Sequence, residues 1–254
     1  MGQSVPRGRV SNDRHTDMRG LTLYEGPSRL GKEDIVVLVT GLFGSQNVKT
    51  GDCYQVYILL KNIHPHEARI TGLDESICGG CGLRPLLMNP DGKCYVPGYM
   101  LNQPWTAWKE NPQLYPHGSL QDLPLYKPVR VGAYGDMAAV PHPFPFWYSQ
   151  LQGHRHLAYT SQWRGVNLQA VAMASVQSPT EQVEASSRGY RTYRRYRGVL
   201  ELLTKEIECP HPKVQCRECL LCDGAQADDP RKHIVVLDAK EKRAHATSQR
   251  PSRT

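Results

Sequence analysis

The sequence predicts an α/β protein built as a partial (β/α) barrel, with a cysteine-rich metal-binding segment ahead of its last strand. Three observations carry that reading. Short, continuously apolar runs recur along the chain, as in strands covered on both faces. Helical stretches alternate with them, the order that winds a sheet right-handedly toward a barrel. Seven of the eight cysteines fall into two clusters, at residues 78–94 and 209–222.

The elements follow in order. Ile35–Thr40 (IVVLVT) and Gln55–Leu60 (QVYILL) are the first two strand-type runs, rich in β-branched and aromatic residues. A helix is expected over Trp105–Asn111, then a strand over Pro128–Tyr134 (PVRVGAY) and a helix over Pro145–Gln152. Strands at Leu157–Thr160 and Gln169–Ala174 come next. The helix at Pro179–Arg188 has the fullest signature. Ser178 is a good N-cap, Pro179 takes the first helical position, Glu181 completes a capping-box spacing and Gly189 supplies the stop. Strands at Arg191–Arg195 and His233–Asp238 close the series.

The flanks read differently. Residues 1–31 are rich in Gly, Ser, Arg and Asp, and residues 240–254 are polar and basic without an apolar period, so both are expected to be disordered tails. The core is then residues 32–239, with the Cys-rich insert near 205–226. For 254 residues at 39% hydrophobic content, one domain with a small metal-bound lobe is the natural size. No apolar run reaches the ~20 residues of a membrane span, and no apolar stretch follows the N-terminal charges as in a secretory signal. The expected location is the cytoplasm. Thiols stay reduced there, and clustered cysteines serve as metal ligands more often than as disulfides. The formal charge of +7 permits contact with nucleic acid without demanding it.

Cys78, Cys81 and Cys94 stand in ICGGCGLRPLLMNPDGKCYV. Two residues between the first pair let both thiolates turn to one metal, and Gly79, Gly80 and Gly82 make that turn inexpensive. Three ligands with no obvious fourth do not suit a closed zinc site. They suit a 4Fe–4S cluster with one iron left open, unless His64 or His66 supplies the fourth ligand. Cys209, Cys216, Cys219 and Cys222 stand in ECPHPKVQCRECLLCDG. Successive two-residue spacings are those of ferredoxin-type iron–sulfur clusters. Zinc is the alternative metal, and His211 is a candidate substitute ligand. Cys53, alone at a strand start, reads as a buried thiol.

Other segments are weighed and set aside. Lys49-Thr50-Gly51 lacks the glycine spacing of a phosphate-binding loop, so an NTPase is excluded. No serine sits in a nucleophile elbow, which removes a hydrolase triad of Ser161, His154 and Asp136. The run RGYRTYRRYR (Arg188–Arg197) interleaves Arg and Tyr as a nucleic-acid groove would, yet in a strand alternate residues face opposite sides, which makes sheet and core its preferred assignment.

Several pieces together resemble the phage gene-product-88 family of uncharacterised proteins: VTGLFGSQNVKTGD, ICGGCGLR…KCYV, VRVGAYGDMAAVP, AYTSQWRG, MASV with SSRGYRTYR, and the second cysteine segment. More distantly, the order of elements resembles radical S-adenosylmethionine enzymes, in which a three-cysteine loop follows the first barrel strand. That resemblance implies a cluster at Cys78, Cys81 and Cys94 whose open iron takes S-adenosylmethionine. It also implies that Gly135 and Asp136 meet the cofactor's amino group, that Ser175 contacts it from a later strand, and that the four later cysteines hold an auxiliary cluster. The chain departs from the pattern in its Cys-x2-Cys-x12-Cys spacing and in Asp136 standing where the pattern has Glu. The expected function is an iron–sulfur, radical-enzyme-like protein with an unknown substrate. The alternative is a zinc-stabilised phage or bacterial protein that binds nucleic acid or serves a structural role.

Overall fold

The computed structural model describes residues 17–84, 94, 96–196, 198–225 and 233–237. Most of the expected tail segments, 1–16 and 240–254, lie outside the described residues, as does Asp238. The architecture is mixed α/β with two five-stranded sheets. The first holds β1 (Leu21–Pro27), β2 (Asp34–Thr40), β3 (Tyr54–Leu60), β4 (Val129–Tyr134) and β5 (His156–Leu157), in that order. The second runs β6 (Tyr159–Thr160), β7 (Met173–Val176), β8 (Thr192–Tyr196), β10 (His233–Leu237) and β9 (Glu206–Glu208), with every pairing parallel.

The two sheets meet in one stretch of chain. His156 pairs with Val129 of β4, and Tyr159, three residues on, pairs with Met173 of β7. Ala158 lies between them and is fully buried. No closed barrel forms among the described residues, and the first sheet is only partly parallel. β1, β2 and β3 pair antiparallel, because residues 28–33 and 41–53 join them without the helical crossover that parallel neighbours require. Continuous apolar character in β2 and β3 correctly signals burial on both faces, since Ile35–Val39 have no exposed surface. It does not signal strand direction.

Three further differences have local causes. A core beginning at residue 32 is too short, because β1 is a true strand. Leu21 and Leu23 are buried, and between them Thr22 donates its hydroxyl to the Tyr115 carbonyl at 2.9 Å. The strand expected at Gln169–Ala174 begins instead at Met173, since the Leu168 carbonyl accepts from both Val171 and Ala172 in a tight turn. Ser175 consequently lies inside β7 rather than at its end. Among the helices are α1 (Pro65–Thr71), α2 (Glu75–Cys78), α3 (Tyr99–Glu110), α4 (Pro143–Leu151), α5 (Pro179–Ser187) and α6 (Cys216–Cys219). In α5 the Ser178 hydroxyl accepts from the Glu181 N–H as expected, while the Glu181 carboxylate caps the Gln177 N–H one residue further back.

The described part of the Arg-Tyr run is sheet and core. Tyr190 is buried with its hydroxyl on the Val166 carbonyl, Arg191 pairs with Asp223, and Arg195 bonds Gln177. Arg194 meets both oxygens of buried Glu206 at 2.7 Å. Burial alone would raise the Glu206 pKa, but hydrogen bonds from Arg194 and the Leu203 N–H, with the Arg194 charge, hold it below its ordinary 4.5. A carboxylate with a depressed folded-state pKa contributes stability above its unfolded pKa and loses it as pH falls through the folded value. Glu206→Gln is therefore expected to lower the melting temperature near neutrality, and its deficit against wild type should shrink below about pH 4.5. Melting curves across a pH series check this; a deficit independent of pH would mean that the pair's charge is irrelevant.

Candidate metal centres

The three-cysteine loop is built by short-range geometry. Cys78 ends α2, and Gly79 follows with φ 53° and ψ −140°, a conformation that favours glycine. A side chain on Gly79 would also collide with the Gln162 amide, at 2.7 Å. That amide holds the turn at two points, donating to the Cys78 carbonyl at 2.9 Å and accepting from the Gly80 N–H at 3.3 Å. Beneath it, Arg84 returns from the far end of the turn to the buried Asp74 carboxylate. Its other donors reach the Gly79 carbonyl at 3.0 Å and the Gly72 carbonyl at 2.6 Å. Arg84 thus ties both ends of the Cys78–Cys81 turn to one anion. The chain between Arg84 and Cys94 lies outside the described residues.

Cys78, Cys81 and Cys94 line one open cavity, together with Gly135, Asp136 and Ser175. Asp74, Arg84, Tyr134, Tyr159 and Ser161 complete much of its wall. Six residues expected from sequence to share a site are thus brought together from four separate stretches of chain. Neither His64 nor His66 lines this cavity; His64 packs edge-on against Trp105 at 5.2 Å.

The roles of Gly135 and Asp136 differ in detail from expectation. Gly135 has φ 80°, and a Cβ there would lie 2.6 Å from both Cβ and the carbonyl oxygen of Ile58. Close approach to β3, as well as to the cavity, therefore requires the glycine. Asp136 is buried, and its carboxylate is already engaged. Oδ1 accepts from the Ala138 N–H at 3.0 Å and the Thr160 hydroxyl at 2.7 Å, and Oδ2 accepts from the Ser161 N–H at 2.6 Å. Burial raises its pKa while these bonds oppose the rise. With about four lone-pair positions on a carboxylate, Asp136 has little acceptor capacity left for a ligand's ammonium. It fixes the Thr160–Gln162 segment instead, which in turn places the Ser161 hydroxyl 3.5 Å from the Cys81 sulfur.

The second set of cysteines lines a separate, smaller cavity. Cys209, Cys216, Cys219 and Cys222 share it with Lys49, Tyr159, Tyr193 and His211. Four backbone bonds hold this segment to the core: Cys209 N–H to Val235, Cys216 N–H to Lys49, Arg217 N–H to Thr50, and Ala158 N–H to Cys222. The Lys49–Gly51 turn, excluded as a phosphate loop, thus docks α6. The Lys49 ammonium reaches the Tyr193 hydroxyl at 3.3 Å and lowers the Cys216 pKa against the rise caused by burial. Arg130 acts on Cys216 in the same direction. Cys53 lies nearby as a fully buried thiol on the Thr50 carbonyl, its pKa pushed up to about 11 chiefly by burial.

None of the eight cysteines forms a disulfide. Burial drives the Cys78 pKa well above its ordinary value, reinforced by Asp74 and the neighbouring thiols, and takes Cys222 up to about 12. Crowded, desolvated thiols of this kind become thiolates when a cation supplies the missing charge. Each cysteine set supplies thiol donors to one cavity, the donor type that thiolate-bound metal centres use. Among the described residues, no three of these side chains stand close enough together to coordinate one ion, so ligation requires the thiols to move inward. Asp74, Arg84, Tyr134, Tyr159 and Gln162 are among the site residues that sequence reasoning did not single out; no local spacing announces them.

Comparison with protein-family models, with curated proteins and with solved structures found no match.

Proposed function

We propose that the chain is a two-centre iron–sulfur protein. Cys78, Cys81 and Cys94 hold a cluster that keeps one iron open toward the larger cavity, and Cys209, Cys216, Cys219 and Cys222 hold a closed one. The observation that carries this reading is the gathering of each cysteine set around its own cavity, with Tyr159 lining both. Among the described residues that line the larger cavity, three thiols and no histidine suit a cluster with an open coordination position better than closed zinc. A bound cluster there would supply a Lewis-acidic, redox-active iron. The chain's own residues set its surroundings: Gln162 and Arg84 fix the cysteine turn, Asp136 orients Ser161, and Ser175 lines the same open space.

The ligand implied by the likeness to radical enzymes is S-adenosylmethionine, and the open barrel of those enzymes is part of the same proposal. Its support is the seam at residues 156–160, which carries pairing from β4 across to β7. Membership of the phage gene-product-88 family also belongs to the proposal and rests on the sequence pieces. The test is Cys81→Ala in the full chain, reconstituted with iron and sulfide without oxygen. The variant is expected to fold, to lose roughly half of its iron, on the basis of four irons per cluster, and to lose S-adenosylmethionine binding by calorimetry. Loss of all iron would mean one shared site; unchanged iron and binding would remove the three-cysteine centre from the account.

A further inference from the structure

β10 lies between β8 and β9, and its first residue is His233. At the start of β8 the Thr192 N–H donates to His233 Nδ1 at 3.0 Å, and the Thr192 hydroxyl meets the same nitrogen at 3.0 Å. Thr192 has no exposed surface, so water does not replace an acceptor lost there. A ring nitrogen that accepts from an N–H carries no proton itself, which makes His233 neutral in this arrangement. Its backbone N–H is engaged toward β9, on the Lys205 carbonyl at 2.8 Å. Arg191, one residue before Thr192, reaches the Asp223 carboxylate at 3.2 Å and the Gly224 carbonyl at 2.9 Å. The same strand end therefore anchors the close of the second cysteine segment.

Protonation puts a hydrogen on Nδ1. The Thr192 hydroxyl can turn and accept it, but the N–H cannot, so two donors then face each other across 3.0 Å. The charged groups around the ring are Arg191 from β8, with Glu206 and Lys205 from the β9 side. Glu206 is already paired with Arg194. Burial and then the Arg191 charge hold the His233 pKa below its ordinary 6.5, against the opposing pull of Glu206.

We propose that His233 is a pH-sensitive latch. Neutral, it fastens the start of β8 to β10; protonated, it lets go of that strand end, beside the anchor of the second cysteine segment. A histidine that binds its proton less tightly in the fold contributes fully above its unfolded pKa, about 6.5, and that stability is lost as pH falls toward the folded value. The window is mildly acidic and lies above that of Glu206.

The test is thermal melting of the full chain between about pH 7.5 and about pH 5, for wild type, His233→Asn and His233→Leu. Asparagine sets an amide oxygen close to the place of Nδ1 and does not titrate; leucine offers no acceptor. His233→Asn is expected to match wild type at the upper pH. At the lower pH it should keep a higher melting temperature, by roughly 3–5 °C for each tenfold loss of proton affinity in the fold. His233→Leu is expected to melt below both at the upper pH, with its deficit against wild type shrinking on acidification. A wild type that falls no further than His233→Asn overturns the proposal, as does a His233→Leu variant as stable as wild type at the upper pH. Nitrogen-15 NMR of the wild type reads the same event without any variant. The Thr192 amide signal is expected to move with His233 protonation, at a midpoint below the ordinary 6.5. An amide indifferent to that titration, or a midpoint at or above the ordinary value, also overturns the latch.

Discussion

Cys219→Ala is expected to cost the protein the proposed four-cysteine centre and the folding of the segment around it. The reason lies in how little else holds that segment. Among the described residues, no hydrophobic side chain between 200 and 225 is fully buried. Its regular structure amounts to the three residues of β9 and the four of α6. What fixes it to the core is a handful of backbone bonds and the Arg191–Asp223 and Arg194–Glu206 ion pairs. A lobe without an apolar core depends on metal for its folding free energy, which in small zinc-bound peptides is about 10–16 kcal/mol. The variant should therefore appear as insoluble or protease-sensitive protein, with cleavage mapping to residues 200–225. A soluble variant with full metal content would show that Cys219 is not a ligand.

Arg84→Met is expected to be the most destabilising change away from the cysteines. Asp74 is 1% exposed, and its partners are Arg84, at 2.6 Å and 3.0 Å, and the Tyr134 hydroxyl at 3.4 Å. Removing the guanidinium strands a buried carboxylate and frees the Gly72 and Gly79 carbonyls. Breaking a buried pair from one side costs about 3–5 kcal/mol, which for a chain of this size lowers the melting temperature by roughly 6–20 °C. Because those same bonds hold the Cys78–Cys81 turn, loss of three-cysteine metal should accompany the loss of stability. Asp74→Leu combined with Arg84→Met should recover part of the stability, since no uncompensated charge remains, but should not recover the metal. Calorimetry and metal analysis of wild type, the single variant and the double variant check both halves. A single variant as stable as wild type would mean that Asp74 finds another partner.

The first sheet was legible where burial and pattern agree. β2 and β3 carry unbroken apolar runs, and their positions were found within a residue. Direction was not legible, because it depends on what joins the strands. β1 was lost to composition: its Gly and Pro neighbours resemble a tail, while its fit depends on Tyr115 and Pro116, nearly a hundred residues away. The QAVAMA run misled because a turn closed by Leu168 occupies its first half.

At the sites, cysteine spacing announced the two groups that each line one cavity, and Gly135, Asp136 and Ser175 were reached through resemblance to a family rather than through spacing. All three line the expected cavity, although Asp136 spends its oxygens on Thr160 and Ser161. The residues that escaped notice act across long separations. Gln162 holds a turn 82 positions earlier, and Tyr159 joins two cysteine sets that the sequence keeps well over a hundred residues apart. Such links depend on how the seam at residues 156–160 pairs with β4 and β7, which no window of sequence shows.

The most direct test of the central claim is the metal and sulfide content of the full chain, with its absorption spectrum, after purification under strict exclusion of oxygen. The account predicts a brown protein absorbing near ~400 nm, with about eight irons per chain and matching sulfide. A colourless protein carrying one or two zinc ions would contradict it, and would make the cysteines structural ligands instead.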